Sequence, residues 1–128
     1  MKSMYPNLMV YNVNDTIEYY KTFLGFQLLR TIPPEGNFHW AMMKCGEVRI
    51  MFRTRERLSL DIPQFVDAEP GSGFTLFIIV GDVVTLYERI KDNVEVVVDL
   101  NETFYGMNEF SIRDLNGYIL TFAEPITE

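Results

Sequence analysis

The sequence predicts an α+β fold built from two βαβββ modules, and three observations carry that prediction. The order strand, helix, strand, strand, strand reads twice along the chain. Each helix opens next to an aspartate that follows a strand, Asp15 in the first copy and Asp82 in the second. Between the copies lies a stretch at 54–73 that holds Pro63, Pro70, Gly71 and Gly73 and has little periodicity, which reads as a linker. The modules then run over about 4–53 and 74–124. A module of this size cannot bury both faces of its sheet alone, so two must pair. A ferredoxin-like α+β sandwich is the competing topology.

Residues 7–13 (NLMVYNV) read as the first strand. Asp15, with Glu18 three residues on, suits a capping box. Ile17, Tyr20 and Leu24 have helical spacing, and Gly25 stops the helix. Residues 26–32 form the next strand, broken by Pro33-Pro34-Glu35-Gly36. Residues 38–44 and 47–53 make a hairpin about Cys45-Gly46. In the second copy 74–80 is a strand and Asp82 a cap. Val83, Leu86 or Tyr87, and Ile90 make a helical stripe, and 94–99 is a strand. The last hairpin joins 108–113 to 118–124 through Asp114-Leu115-Asn116-Gly117. There Asp and Asn bond their own backbone and Gly accepts φ > 0.

A length of 128 residues suits one domain with one core, and a hydrophobic content of 48% is that of a globular chain. No apolar run approaches the roughly 20 residues of a membrane span, and the N-terminal residues lack the apolar region of a signal peptide. The lone Cys45 excludes an intramolecular disulfide and fits a reducing compartment, so a cytoplasmic location is expected. Asn14-Asp15-Thr16 and Asn101-Glu102-Thr103 match the glycosylation pattern by chance on that reading. The net charge of −7 argues against nucleic acid and is compatible with a cationic ligand.

The run YGMNEFSIRDLNGYILTFAE at 105–124, with its aromatic-Gly opening Tyr105-Gly106, closely resembles the last hairpin of the vicinal-oxygen-chelate superfamily. That superfamily includes glyoxalase I, fosfomycin-resistance proteins, extradiol dioxygenases and bleomycin-resistance proteins. The EFSIRD run most resembles the bleomycin-resistance branch. The resemblance implies that the two modules curl a mixed sheet around a cleft, and that two chains build each cleft as a homodimer. It also implies where a divalent metal sits in the superfamily's enzymes. The four ligand positions fall here on Leu8, Met51, Thr75 and Thr121. Leu cannot coordinate a cation, Met suits soft copper, and Thr hydroxyls are weak ligands. No metal, no cofactor and no catalytic residue is therefore expected, as in the metal-free bleomycin-resistance branch. The only histidine, His39, reads as a partly buried strand residue with a satisfied hydrogen bond.

Counting outward from a turn at Cys45-Gly46 pairs Trp40 with Met51 and Phe38 with Arg53. On that count Phe38, Trp40, Met42 and Met51 line the cleft, an aromatic slot suited to planar ligands. His39, Ala41, Val48, Ile50 and Phe52 face the helix. A three-residue loop in the last hairpin pairs Phe110 with Phe122 and Ile112 with Leu120, whereas a four-residue loop would reverse one strand's contribution. The three-residue loop leaves Glu109, Ser111, Thr121 and Ala123 toward the cleft. Tyr105 occupies the place whose aromatic ring stacks on the ligand in bleomycin-resistance proteins, with Phe104 beside it as the alternative. The alternation of Arg49, Arg53, Arg55 and Arg57 reads as a solvated edge or, alternatively, as a basic rim for a carboxylate or phosphate.

The expected ligand-binding residues are thus Phe38, Trp40, Met51, Tyr105, Glu109, Ser111 and Thr121. The expected function is metal-free binding of a small molecule, sequestering a drug or metabolite, with antibiotic resistance as the family analogue. Neither nucleic acid nor membrane is an expected partner. The alternative is a superfamily enzyme, of lyase or dioxygenase type, with a displaced metal site. A structural or regulatory module without a small ligand is a third reading.

Overall fold

A computed structural model describes residues 1–127. The chain divides into two compact units, Met1–Pro70 and Gly71–Glu128. Unit 1 contains β1 (Asn7–Val10), α1 (Val13–Leu24), β2 (Gln27–Ile32), β3 (Trp40–Cys45), β4 (Val48–Thr54) and α2 (Arg55–Asp61), then a 3-10 turn at Pro63–Phe65. Unit 2 contains β5 (Thr75–Ile79), α3 (Val83–Ile90), β6 (Glu95–Glu102), β7 (Met107–Arg113) and β8 (Ile119–Pro125). The sheet orders are β1-β4-β3-β2 and β5-β8-β7-β6, so the second unit repeats the topology of the first strand for strand. In each, one parallel pair, β1 with β4 or β5 with β8, joins an antiparallel run. The fold is α+β, two βαβββ modules with mixed four-stranded sheets.

In unit 1 the helix starts earlier than its aspartate suggests. Asn12 is the N-cap, its side chain accepting from the Asp15 N–H at 2.8 Å, and Asp15 lies inside the first turn. Asp15 is acidic enough to serve the helix end electrostatically, but the extended backbone that a cap needs belongs to Asn12. Val13, Thr16, Ile17, Tyr20 and Leu24 turn one face into the core. Gly25 closes the helix at φ 74°. Tyr20 lies between Phe26 and Phe52, its ring centroid 5.5 and 4.8 Å from theirs. The stretch 54–73, read from sequence as a linker, holds α2. Thr54 caps that helix, and Leu58 buries its one apolar contact. With a single buried side chain in seven residues, α2 has too short a stripe to be legible as a period.

In unit 2 Asp82 is the cap, accepting from the Thr85 N–H at 3.1 Å and from the Thr85 hydroxyl at 2.8 Å. The core is Phe110 with Phe122 and Tyr87, ring centroids 5.3 and 5.0 Å away. The hairpin turn is held by Asp114, whose Oδ1 accepts from the N–H groups of Asn116 and Tyr118, both at 2.9 Å. Gly71 passes so close beneath this turn that a Cβ there would lie 2.5 Å from the Asn116 oxygen. Among the described residues no helix is long and apolar enough to cross a membrane.

Candidate functional site

Each sheet has one face on its helix and an opposite face, called open although Met9, Ser111, Thr121 and Ala123 on it are buried, and strand register assigns every side chain to one of them. In unit 1 the turn falls on Gly46-Glu47, with Gly46 at φ 57°, and Cys45 pairs with Val48. The register therefore differs by two residues from the sequence count: Trp40 opposes Arg53, and Met42 opposes Met51. Because the side-chain period is two, the faces survive the shift. Ala41, Met43, Ile50 and Phe52 are buried toward α1, and half-buried Trp40, Met42 and Met51 share the open face.

Phe38 does not join them. It precedes β3, and its N–H donates to Asn14 Oδ1 on α1 at 2.9 Å. It lines a groove of about 520 Å³ between α1 and β2, together with Ile17, Phe26 and Leu28. The sequence argument placed it by extending β3 too far; the loop is tied to the helix instead, since Asn14 Nδ2 also donates to the Gly36 oxygen.

The register also moves the first of the four metal-equivalent positions. Leu8 pairs with Phe52, so it faces α1, and its open-face neighbours are Asn7, opposite Met51, and Met9, opposite Arg53. Met51, Thr75 and Thr121 do lie on open faces, Thr75 sharing its side with Ile119 and Thr121 with Phe77.

In unit 2 the sequence register is the observed one: Phe110 opposes Phe122, and Ile112 opposes Leu120. The open face carries Glu109, Ser111, Thr121 and Ala123 as expected. Four candidate residues come together here as two pairs. The Ser111 and Thr121 hydroxyls lie 2.7 Å apart in a buried hydrogen bond. The Tyr105 hydroxyl donates to Glu109 Oε1 at 2.7 Å, and this bond, with partial desolvation, raises the tyrosine pKa above its ordinary value. Glu109 Oε2 is buried without a donor among the described residues.

His39 is half-buried at the entrance to β3, and its Nδ1 has no partner among the described residues, so the satisfied bond expected of it does not form. Burial, then the positive charges of Arg57 and Arg53, hold its pKa below the ordinary imidazole value. Two of the four arginines read as a solvated edge or, alternatively, as a basic rim are ion-paired. Arg53 pairs with Asp61, Arg55 with Glu69, and Arg49 stacks 6.0 Å from the Tyr5 ring. No pattern in the sequence marks Asp61 and Glu69 as partners, because both lie in the stretch read as a linker.

The family model described as Glyoxalase/Bleomycin resistance protein/Dioxygenase superfamily matches residues 4–122. No curated protein matches the chain in sequence. Among solved structures, a protein of unknown function from Agrobacterium tumefaciens str. C58 is similar with a TM-score of 0.81 at 20% identity, over 98% of this chain and 95% of that one. TioX from Micromonospora sp. ML1 is similar at 0.72 and 20%, over 99% and 98%. A glyoxalase-related enzyme from Fulvimarina pelagi is similar at 0.77 and 14%, over 97% and 88%. At these identities the likeness establishes the fold.

The superfamily's enzymes use a divalent metal, and the residues present do not fit one. Leu8 faces the wrong side, Met51 offers a thioether, Thr75 a lone hydroxyl, and Thr121 a hydroxyl already bonded to Ser111. Among the described residues no three His, Cys, Asp or Glu side chains gather as a metal-holding group.

Proposed function

The chain belongs to the glyoxalase/bleomycin-resistance/dioxygenase superfamily, and from that premise we propose that it is a metal-free small-molecule-binding protein that sequesters a drug or metabolite. The observation that carries this reading is the chemistry of the two open faces. One presents Trp40, Met42 and Met51, apolar and polarisable surface suited to a planar ring. The other presents the half-exposed Tyr105 bonded to Glu109, polar groups that orient a ligand without a cation. TioX is similar in fold at 20% identity, and fold alone does not assign a ligand to this chain.

The reading includes a homodimer in the cytoplasm. Edge strand β5 leaves Phe77 49% and Ile79 55% exposed, apolar surface that a second copy would cover. A specific interface of this kind exceeds roughly 1,000 Å². Sedimentation at micromolar concentration is expected to show the dimer, and a monomer there would refute it. Cys45, free and half-buried, fits a reducing compartment.

A thermal-shift screen of planar ligands, run with and without chelator, tests the binding reading. A ligand that binds only the folded state raises Tm, and the shift is expected to be the same in chelator. Trp40 fluorescence, the chain's only tryptophan signal, is expected to change with the same ligands. Stoichiometric Zn, Ni, Mn or Fe, with ligand shifts abolished by chelator, would instead establish a superfamily enzyme with a displaced metal site.

A further inference from the structure

The four strands of unit 1 contain no Asp or Glu, and their open face carries four cations. Strand register places them: Arg30 opposes Met42, Lys44 opposes Arg49, and Arg53 opposes Trp40. The acids of this unit lie off the sheet, on α1 and α2 and in the turns and loops. One of them, Asp61 on α2, reaches Arg53. Among the described residues Arg30, Lys44 and Arg49 are in no ion pair. Arg49 lies 6.0 Å over the Tyr5 ring, which holds the guanidinium in place without neutralising it. Lys44 and Arg49 are direct cross-strand partners, so two like charges stand opposite each other. That arrangement destabilises a sheet, and an anion between the two removes the cost.

The net charge of the chain conceals this face. Residues 71–128 contain ten Asp and Glu against three Lys and Arg, which accounts for the whole net charge of −7, while residues 1–70 contain eight of each. Unit 1 is balanced in total and sorted in space, with its acids on helices and loops and half of its cations on one side of the sheet. On that same side Trp40, Met42 and Met51 are half-buried, so a flat ring can lie against them. Lys44 follows Met42 by two residues along β3, and Arg49 precedes Met51 by two along β4, roughly 7 Å in each case. The apolar floor and the charged pair thus lie within reach of one two-ring aromatic acid.

We infer that the open face of unit 1 takes a planar aromatic carboxylate, its rings over Trp40, Met42 and Met51 and its carboxylate between Lys44 and Arg49. This deepens, and rests on, the proposed small-molecule-binding function, and it fixes the sign of the ligand's charge. The carboxylate accepts charge-assisted hydrogen bonds from both side chains and relieves their repulsion. Arg30, on the exposed edge strand, adds to the positive field. A cationic ligand of the same shape meets only like charge there, so the face selects by sign.

2-Naphthoate and its neutral analogue 2-naphthamide test this on the full chain, by calorimetry and by the Trp40 indole N–H resonance, which is unique in the chain. Naphthoate is expected to move that resonance and to bind at least about tenfold more tightly than naphthamide, the effect of one hydrogen bond to a charged group. The gap is expected to narrow as salt is raised. Lys44→Gln with Arg49→Gln is expected to abolish the preference, and Arg30→Gln, a change confined to an exposed position, to narrow it. Lys21→Gln, the same charge change in the last turn of α1, is expected to keep it whole. Equal binding of the two compounds, or a preference left whole by all the open-face substitutions, overturns the carboxylate role while leaving the small-molecule reading intact. If neither compound moves the Trp40 resonance, the inference fails, and the binding reading fails with it only if the wider planar-ligand screen is also silent.

Discussion

β1 and β5 occupy the same place in their sheets, each the parallel edge strand beside the last strand of its module, yet their surroundings differ. In β1, Leu8, Met9 and Val10 are all buried; in β5, Thr75, Phe77 and Ile79 are exposed. Unit 1 has α2, packed against β1 and β4, and among the described residues no helix follows β8 in unit 2. The arginines of unit 1 find partners in and after that added helix, Asp61 for Arg53 and Glu69 for Arg55. Unit 2 keeps an acidic excess and an incompletely bonded Glu109. One topology thus yields two modules whose parallel edge strands differ in exposure.

Four experiments sharpen or break that contrast. The largest effects belong to the two cores. Phe52→Ala and Phe110→Ala each remove a ring with no solvent exposure and are expected to cost roughly 3–5 kcal/mol in denaturant midpoints. If the units were equally self-contained, each substitution would lower only its own unit's transition; a single shared transition shows that they fold as one.

Gly71→Ala comes next. Its φ of 106° and the 2.5 Å approach to Asn116 place it in a strained and crowded position, and the backbone alone is expected to cost about 1–3 kcal/mol. Gly46→Ala, at φ 57° with open space around it, is expected to cost only about 1 kcal/mol. Equal costs measured by thermal unfolding would mean that the close passage at Gly71 relaxes freely.

The two helix caps give a smaller and pH-resolved contrast. Asn12→Ala is expected to cost about 1 kcal/mol at every pH, because an amide cap does not titrate. Asp82 differs. The Thr85 N–H, and then its hydroxyl, hold its carboxyl below the ordinary carboxylate value in the folded state. A depressed folded pKa contributes stability above the unfolded value, and that contribution is lost as pH falls through the folded one. Asp82→Asn is therefore expected to flatten the acid limb of the stability profile, and an unchanged limb would remove Asp82 from it.

The smallest stability effect is expected at Tyr105. Tyr105→Ala removes a half-exposed ring and one hydrogen bond to Glu109, and the unfolding midpoint is expected to stay where it is while planar-ligand affinity falls. Unfolding on this substitution would show that the ring is core and that the open face has been assigned to the wrong side.

The sequence by itself determined the modular repeat, the helix stripes and the Gly25 and Asp82 helix ends, and it left the last hairpin between a three- and a four-residue loop. These follow from local chemistry: apolar periods, a glycine that accepts positive φ, and an aspartate whose own carboxylate builds the turn at 114–117. Tertiary structure decided the rest. Asn12 rather than Asp15 caps α1, because the cap is wherever the backbone turns extended, and both residues have suitable side chains. The first hairpin turns on Gly46-Glu47 rather than Cys45-Gly46, because either dipeptide permits a tight turn and both registers keep the same side chains on each face, so the apolar pattern does not choose between them. Phe38 leaves the open face, and Leu8 faces α1, for reasons that lie in partners far along the chain, Asn14 and Phe52. The bond from Tyr105 to Glu109, and the unpaired oxygen beside it, required the loop and strand to be folded together, since no sequence spacing states which atom of a carboxylate is left without a donor.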